Sequence, residues 1–293
     1  SASGVSFNDW AGEQAAALDL LADRSPMGEL RVAGGVLRTT VHANWKIYLE
    51  NVNDAVHPVS AHASANDAAR KVWGEMSAHV SGQTAAQISA QTPAQKTAPL
   101  AVQQLLPFGS GHEFFQRMGG RVLPHGHSVL GTQYSIHSGY ASLPGYAEQL
   151  RAAHGEARAQ EVLAFTPQNV VFYPAVALKG APQVLRVLRP LAVDRTLIEA
   201  WAFEPVGAPP AVLESALTYN RSVFSPTSIV AADDLHLFES VQRGLAAQAN
   251  PWVSLHRDAH SESPTLPRDV SGIDEALLRN QYRAWLEGMV GDA

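Results

Sequence analysis

The stretch from Asn44 to His62 reads N-W-K-I-Y-L-E-N-V-N-D-A-V-H-P-V-S-A-H and decides most of what the sequence says about the fold. Its apolar residues recur at three- and four-residue steps, which predicts an amphipathic helix over 44–56. These apolar residues are Trp45, Leu49, Val52 and Val56. Pro58 is predicted to end the helix near His57, because a proline disfavours α geometry at the residue before it.

The opposite face of this helix is polar and combines side chains that can bind a metal. Asn51, Asp54 and His57 follow one another at three-residue steps and share that face. His57 and His62 are roughly 140° apart on an ideal helix, so the break at Pro58 is needed to bring both rings to one point. Two imidazoles and a carboxylate can hold iron, manganese or zinc and leave positions open for chemistry. A solvated polar face has the same spacing, so both interpretations stay open here.

A further carboxylate has to come from elsewhere, and the pair Asp233-Asp234 in S-P-T-S-I-V-A-A-D-D is the candidate. The pair opens a helix predicted over 233–247, where acidic groups stabilise the positive end of the helix dipole. A role as N-cap accounts for one of the two aspartates and less well for the second. A second histidine pair, His125 and His127 in L-P-H-G-H-S, is interpreted as part of a turn rather than as a metal site.

Composition narrows the class of protein. The chain has 293 residues, 46% of them hydrophobic and 16% charged, which is typical of a globular protein with a sizeable core. No apolar run is long enough to span a membrane and the first residues lack the pattern of a secretory signal, so a cytoplasmic location is the default. The net charge of −6 and the scattered Lys and Arg argue against a nucleic-acid surface. The absence of Cys leaves His and carboxylate as the metal ligands.

Hairpins followed by helices predict one antiparallel α+β domain over 1–293, with helices on one side of the sheet. Residues 63–107, rich in Ala, Gln, Ser and Thr, are predicted to be loop and short helix that form a peripheral cover segment. The predicted strands are 30–41 (two strands with a tight turn at Gly34-Gly35), 120–130, 132–137, 170–173, 184–188 and 196–203. The other predicted helices are 9–22, 145–164, 209–223 and 272–289.

The stretch Asn44–His62 resembles the signature of the catalytic, large (α) subunit of Rieske-type non-haem iron ring-hydroxylating oxygenases. The family pattern N-W-K, E-N, D-x-x-H-x-x-x-x-H stands here as Asn44-Trp45-Lys46, Glu50-Asn51 and Asp54-x-x-His57-x-x-x-x-His62. Further segments similar to the family are spread along the chain: Leu30–Ala43, Pro124–Ser128, Leu188–Thr196, Asp233–Leu245 and Arg279–Trp285.

The resemblance implies a helix-grip (START-like) α+β fold, in which a curved antiparallel sheet carries a long helix over a pocket. It implies His57, His62 and Asp234 as the ligands of one Fe(II), with Asp233 as cap or as a group behind the ligands. Asp54 is implied to link a ligand His to the Rieske cluster of a neighbouring subunit. Asn51 is implied to lie close to the iron as a polar group.

One departure from the family is large. The family carries an N-terminal Rieske domain whose [2Fe–2S] cluster is held by two Cys and two His, and this chain has no Cys. We therefore expect a fragment that starts after that domain, the alternative being a separate catalytic chain. The resemblance then implies external electrons from NAD(P)H through a Rieske domain or ferredoxin and reductase, O₂, a small aromatic or similarly apolar substrate, and a homotrimer with or without β subunits.

Two other functions stay open from the sequence. One is a non-enzymatic START-like module that binds an apolar ligand and leaves its metal site unused, and the other is hydrolysis on zinc. For the oxygenase, the reaction is dihydroxylation, monohydroxylation or oxidative demethylation. An aromatic carboxylate as substrate would need a cationic partner, for which Lys71, Arg117 and Arg121 are the candidates.

Overall fold

Eight antiparallel strands in the described part of the chain form one sheet. The computed structural model describes residues 4–81, 98–138, 143–250, 252–261 and 263–290. The strands are β1 (Leu30–Val41), β2 (Gly120–Val122), β3 (Ser128–Leu130), β4 (Asn169–Phe172), β5 (Val176–Lys179), β6 (Val184–Ala192), β7 (Arg195–Pro205) and β8 (Arg268–Val270). Their order across the sheet is β1-β7-β6-β5-β4-β3-β2-β8. This arrangement confirms the predicted α+β class.

Twelve α-helices lie in the described part of the chain. They are α1 (Phe7–Ala11), α2 (Ala16–Ala22), α3 (Trp45–Asn53), α4 (His57–Ala61), α5 (Ala63–Ser81), α6 (Leu100–Leu105), α7 (His112–Arg117), α8 (Tyr146–His154), α9 (Glu156–Ala164), α10 (Pro210–Phe224), α11 (Ile229–Ala246) and α12 (Ala276–Val290). Among the described residues, none of these helices combines the length and the apolar character that crossing a bilayer needs.

The two faces of the sheet pack against different helices, because successive side chains of a strand point in opposite directions. On the inner face, Val171, Ala177 and Leu188 pack with residues of α3 and α11. On the outer face, Val170 and Leu178 pack with residues of the short helices α1 and α2. The long helices therefore lie over the inner face, and that face is where a pocket can form.

The first strand differs from the prediction of two strands and a tight turn. β1 is a single strand that pairs with β7 along its whole length, and the register shifts between Ala33 and Val36. The residues between them, Gly34 and Gly35, have φ of 71° and 77°. Such positive φ values suit a bulge as well as a turn, and glycine permits both. The pair of glycines therefore bends one strand and does not end it.

Other boundaries also differ from the sequence prediction. Residues 63–81 form one continuous helix rather than loop and short helix, while 82–97 lie outside the described residues. No strand forms over 132–137, where Ser135 holds a turn by accepting a hydrogen bond from the backbone of His137. The helix predicted over 145–164 is interrupted at Gly155, and the strand β5 is missed by the prediction. The predicted strands 184–188 and 196–203 are part of β6 and β7, which pair as an antiparallel hairpin.

Candidate metal centre

The motif D-x-x-H forms the junction between two helices. The helix predicted over 44–56 ends at Asn53, and the next residue, Asp54, is extended with φ −103° and ψ 124°. The Asp54 carboxylate accepts the backbone N–H groups of Val56 (2.8 Å) and His57 (3.1 Å). Pro58 lies in the first turn of α4, where its missing N–H is no loss. The prediction that Pro58 ends the first helix is therefore wrong, since that helix ends before it, at Asn53, and Pro58 lies in the first turn of the second.

The two histidines lie at opposite ends of the five-residue helix α4. His57 is its first residue, and His62 follows its last with φ −104° and ψ 16°, outside helical geometry. The ring centroids of His57 and His62 are 5.3 Å apart. The His62 ring is 1% exposed and packs edge-on against Phe108. The short second helix thus brings the two rings together, as the sequence analysis requires for a shared site.

The carboxylate of Asp234 lies beside these rings. Its Oδ1 atom is 3.3 Å from Nε2 of His62. One ligand-type atom from each of His57, His62 and Asp234 falls within 4.8 Å of the others. Helix α11 begins at Ile229, and its N-cap is Ser228, whose hydroxyl accepts the N–H of Ala231. The N-cap interpretation of the Asp233-Asp234 pair is therefore wrong, since both lie in the second turn of the helix.

Each histidine also has a carboxylate near its other ring nitrogen. Nδ1 of His57 is 3.6 Å from Oδ2 of Asp54, and Nδ1 of His62 is 3.8 Å from Oδ2 of Asp233. Both Nδ1 atoms are buried and make no hydrogen bond at these distances. Carboxylates behind metal-binding histidines fix the ring tautomer and raise its basicity. Asp233 thus takes up the same position toward His62 that Asp54 takes toward His57, which is the second of the two roles that the family resemblance implies for it.

The Asn51 side chain joins helix α3 to helix α11 within this cluster. Its Nδ2 donates to Oδ1 of Asp234 at 3.0 Å and lies 3.1 Å from Nε2 of His57. An amide nitrogen only donates, so Nε2 of His57 accepts and its ring proton resides on Nδ1, toward Asp54. The lone pair of this ring therefore points into the cluster.

Burial and neighbouring groups shift the acidity of the carboxyls on helix α3 and at its end. Burial raises the pKa of Asp54, but the His57 ring and the two backbone N–H groups that it accepts outweigh this and leave its pKa below the usual value. Burial also raises the pKa of Glu50, and there the hydrogen bond from the Tyr282 hydroxyl only partly offsets it. Asp54 is thus held in its charged form, as a partner for a histidine ring N–H.

A small cavity adjoins the cluster on the inner face of the sheet. It has a volume of ≈40 Å³, and a second cavity of ≈50 Å³ shares Asn51, Arg186 and Asp234 with it. The apolar part of the first cavity's wall consists of Ala55, Pro58, Phe108, Phe115, Met118, Val223, Phe224 and Val230. Both volumes are smaller than an aromatic ring needs, so a substrate of that size requires side chains of the cavity walls to move.

The cations that line the first cavity are Lys179 and Arg186, which the sequence analysis did not single out. Lys179 ends the four-residue strand β5, where an alternating pattern is too brief to recognise, and Arg186 lies on the nine-residue strand β6, whose inner face becomes evident only when the sheet is assembled. The three cations proposed from the sequence do not line it: Lys71 is exposed, Arg117 pairs with Glu113, and Arg121 pairs with Glu13 and Asp269.

The second histidine pair forms a turn, as interpreted from the sequence. His125 has φ 59° and is exposed, while His127 is 1% exposed. Nε2 of His127 lies 3.0 Å from the carbonyl oxygen of Trp10, and Nδ1 of the same ring accepts the N–H of Tyr173 at 2.9 Å. Burial lowers the pKa of His127 to about 4. Both ring nitrogens are used by the backbone, so this ring has no lone pair left for a metal.

Two curated relatives match nearly the whole chain. The toluate 1,2-dioxygenase subunit alpha of Pseudomonas putida is 26% identical, over 97% of this chain and 59% of the relative. The anthranilate 1,2-dioxygenase large subunit of Acinetobacter baylyi is 25% identical, over 96% of this chain and 58% of the relative. The chain thus spans less than two thirds of the length of these relatives.

Solved structures share the fold. Naphthalene 1,2-dioxygenase from Rhodococcus sp. bound to indole superposes with a TM-score of 0.67 at 17% identity, over 100% of this chain and 64% of that chain. A quaternary ammonium Rieske monooxygenase gives a TM-score of 0.54 at 14% identity, over 98% of this chain and 57% of that one. At these identities the likeness shows the fold alone, and it confirms the predicted helix-grip architecture.

The family assignment rests on a match along almost the entire chain. The family model described as ring hydroxylating alpha subunit (catalytic domain) matches residues 7–290. That span contains the histidines, the aspartates and the cavity described above. The chain therefore belongs to the family of ring-hydroxylating α-subunit catalytic domains.

Proposed function

We propose that this chain is the catalytic domain of a Rieske-type non-haem iron oxygenase that hydroxylates an aromatic or similarly apolar substrate. The observation that carries the proposal is the convergence of His57, His62 and Asp234 beside a buried cavity. The relatives named for toluate and anthranilate support an aromatic substrate. Because the chain spans only part of their length, the complete reaction, its substrate and its partners all belong to the proposal.

The side chains present fit the iron that the family uses. Two imidazole nitrogens and one carboxylate oxygen are the donor set of non-haem Fe(II) oxygenases, and they leave other positions of the metal open. The buried, unpaired Nδ1 atoms of His57 and His62 support this fit, because each faces a carboxylate while the opposite edge of the ring faces the cluster. Bound Fe(II) would supply the activation of O₂ beside the substrate.

Asp54 and Asp233 hold the two rings in the tautomer that binding requires. Each carboxylate faces the Nδ1 atom of one histidine, at 3.6 Å and 3.8 Å, and its negative charge favours the proton on that nitrogen, so that Nε2 keeps a lone pair. Asn51 fixes the third group, because its amide donates to the Asp234 carboxylate and orients it. These three positioning residues come from helices α3 and α11 and from the junction before α4, so the site depends on the packing of these elements.

Electrons must enter from outside this chain. Asp54 supports a route, because its side chain is 26% exposed while its other side contacts His57. A Rieske domain from a neighbouring subunit of a homotrimer, with or without β subunits, would dock there and pass on electrons from NAD(P)H. Dihydroxylation takes up O₂, two electrons and two protons and puts both oxygen atoms on the substrate. In monohydroxylation one of the oxygen atoms leaves as water.

Turnover with a supplied electron donor tests this function. The protein is purified from iron-containing medium, mixed with a Rieske partner, reductase, NADH and benzoate or toluene, and assayed for O₂ consumption and hydroxylated product. We expect product from the wild type and none from the variant His57→Ala/His62→Ala. Iron content that is unchanged in that variant would contradict the ligand assignment. The binding-module alternative predicts ligand binding without iron and without product.

A further inference from the structure

We propose that Lys179 and Arg186 bind the carboxylate of an anionic aromatic substrate and turn its ring toward the cluster of His57, His62 and Asp234. This inference rests on the proposed function and names the substrate class of the same cavity. Four observations carry it: the position of the two cations on the sheet, their burial, their lack of a carboxylate partner, and a contrasting cation pair on the outer face.

The two cations share one face of the sheet. Arg186 on β6 lies opposite Ala177 on β5, and Lys179 follows Ala177 by two residues. Because side chains two apart in a strand point the same way, Lys179 and Arg186 are diagonal neighbours, with roughly 7–8 Å between their positions. Both side chains line the cavity that also contains the cluster. A carboxylate can therefore reach both cations at once.

Both cations are buried without a carboxylate. Lys179 is 4% exposed and Arg186 3%, and within the described residues no carboxylate lies at ion-pair distance from either. Lys and Arg are almost never buried to this degree unless they are paired, because an unpaired charge loses its hydration. A negative charge is the missing partner that this cavity can receive.

The hydrogen bonds that these cations make leave donors unused. Nζ of Lys179 donates to the carbonyl oxygen of Gln168 at 3.0 Å, and an ammonium has three donors. Arg186 donates to Oδ1 of Asn169 at 2.5 Å and to the Tyr48 hydroxyl at 3.4 Å, while its Nε is buried with no partner. Asn169 and Tyr48 thus hold the guanidinium in place without neutralising it.

On the opposite face of the same sheet, two arginines share a carboxylate of the protein. Arg38 on β1 and Arg189 on β6 enclose Glu199 on β7, with N–O distances of 2.8 Å and 2.6 Å. Those cations are half exposed and share a carboxylate of the protein. The inner-face pair is buried and therefore has more need of a counter-charge, yet none of the carboxylates that the structure describes lies at ion-pair distance from it.

The pKa of Lys179 also supports an anionic ligand in this cavity. Burial and the neighbouring Arg186 hold the pKa of Lys179 well below its usual value, and Asp234 only partly opposes this. A substrate carboxylate would offset both unfavourable effects, since an opposite charge at close range favours the charged form of a lysine. A neutral substrate would leave the pKa of Lys179 low and the two cations without a counter-charge.

Calorimetry on the full iron-free chain tests the inference with two probes of equal size, benzoate and benzamide. The wild type is expected to bind benzoate about 10- to 100-fold more tightly, as hydrogen bonds to a charged group provide. Lys179→Met is expected to remove this preference. The control Lys71→Met makes the same change at an exposed site and is expected to keep it. Equal or weaker binding of benzoate in the wild type would overturn the inference, and that comparison depends on no variant.

Thermal unfolding without ligand separates a binding role from a structural one. If Lys179 serves the substrate, Lys179→Met removes an unpaired buried charge and the melting temperature stays the same or rises. A structural lysine predicts a clear fall, and a fall together with an unchanged benzoate preference would overturn the inference. Metal analysis keeps the two proposals distinct. Iron binding without benzoate preference contradicts this inference alone, and benzoate preference without iron binding contradicts the proposed function alone.

Discussion

Two pairs of histidines lie close together in the sequence, His57 with His62 and His125 with His127, and they have opposite surroundings in the structure. His125 and His127 sit in a turn, and both nitrogens of the buried His127 ring are occupied by backbone groups. His57 and His62 face one another beside Asp234, with their Nδ1 atoms near carboxylates and without hydrogen bonds. The difference teaches that the partners of the ring nitrogens, more than the spacing of histidines, distinguish a candidate metal site from a structural histidine.

The largest expected effect comes from removing one histidine of each pair. His62→Ala is expected to abolish iron binding, because it leaves a single imidazole and one carboxylate. His127→Ala is expected to keep the iron and to lower the free energy of unfolding, since it leaves the N–H of Tyr173 and the carbonyl of Trp10 without a partner. Iron content per chain and chemical denaturation measure the two effects. Iron lost from both variants equally would break the comparison.

The next effect concerns the carboxylate that completes the cluster. Asp234→Asn keeps the shape of the side chain and removes its charge, so iron affinity is expected to fall by about 100-fold or more. Competition with a chelator measures the affinity. Asp269→Asn, at an exposed carboxylate that pairs with Arg121, is the matched control and should leave the iron affinity unchanged. An affinity retained in Asp234→Asn would remove this residue from the ligand set.

The carboxylates behind the rings are expected to have a smaller effect. Asp54→Asn and Asp233→Asn should each lower iron affinity or turnover by about 10- to 100-fold, because each disturbs the orientation of one ring. Asp54→Asn is expected to slow reduction by the Rieske partner as well, whereas Asp233→Asn is not. Stopped-flow reduction and chelator competition, made on both variants, separate these effects. Identical behaviour of the two variants would argue against an electron route through Asp54.

The smallest effect is the pH dependence of stability that His127 contributes. Its folded pKa of about 4 lies below the unfolded value, so its contribution is fully present above the unfolded pKa and is lost as the pH falls toward 4. Between pH 7 and pH 5 the loss amounts to about 2 kcal/mol. His127→Gln should remove that part of the pH dependence, while His125→Gln should not. Urea denaturation at the two pH values measures it, and equal slopes in wild type and His127→Gln would refute the assignment.

Much of the site could be predicted from the sequence, because most of its residues lie close together in the chain. The stretch Asn44–His62 contains four of the five predicted site residues, and the hairpin of β6 and β7 follows from its own turn. The pair Asp233-Asp234 could be proposed from the residues, but only the family resemblance selects Asp234 as the ligand, because the pair comes from a distant helix. The N-cap of that helix was misplaced because the serine before the helix competes with the aspartates for the same role.

The remainder depends on packing between distant elements. The sequence Gly34-Gly35 is compatible with a turn and with a bulge. The pairing of β1 with β7 continues on both sides of these glycines, which makes them a bulge. The two strands that carry Lys179 and Arg186 show their inward positions only when the sheet is assembled. The backbone partners of His127 are Trp10 and Tyr173, and nothing near His127 in the sequence indicates them.

The most direct test of the central claim is a crystal structure of the iron-grown protein with anomalous diffraction recorded at the iron edge. We predict one anomalous peak, in direct contact with Nε2 of His57, Nε2 of His62 and the carboxylate of Asp234. A peak bound at His125 or His127 would contradict this account. Iron-replete crystals with no peak among His57, His62 and Asp234 would contradict it as well.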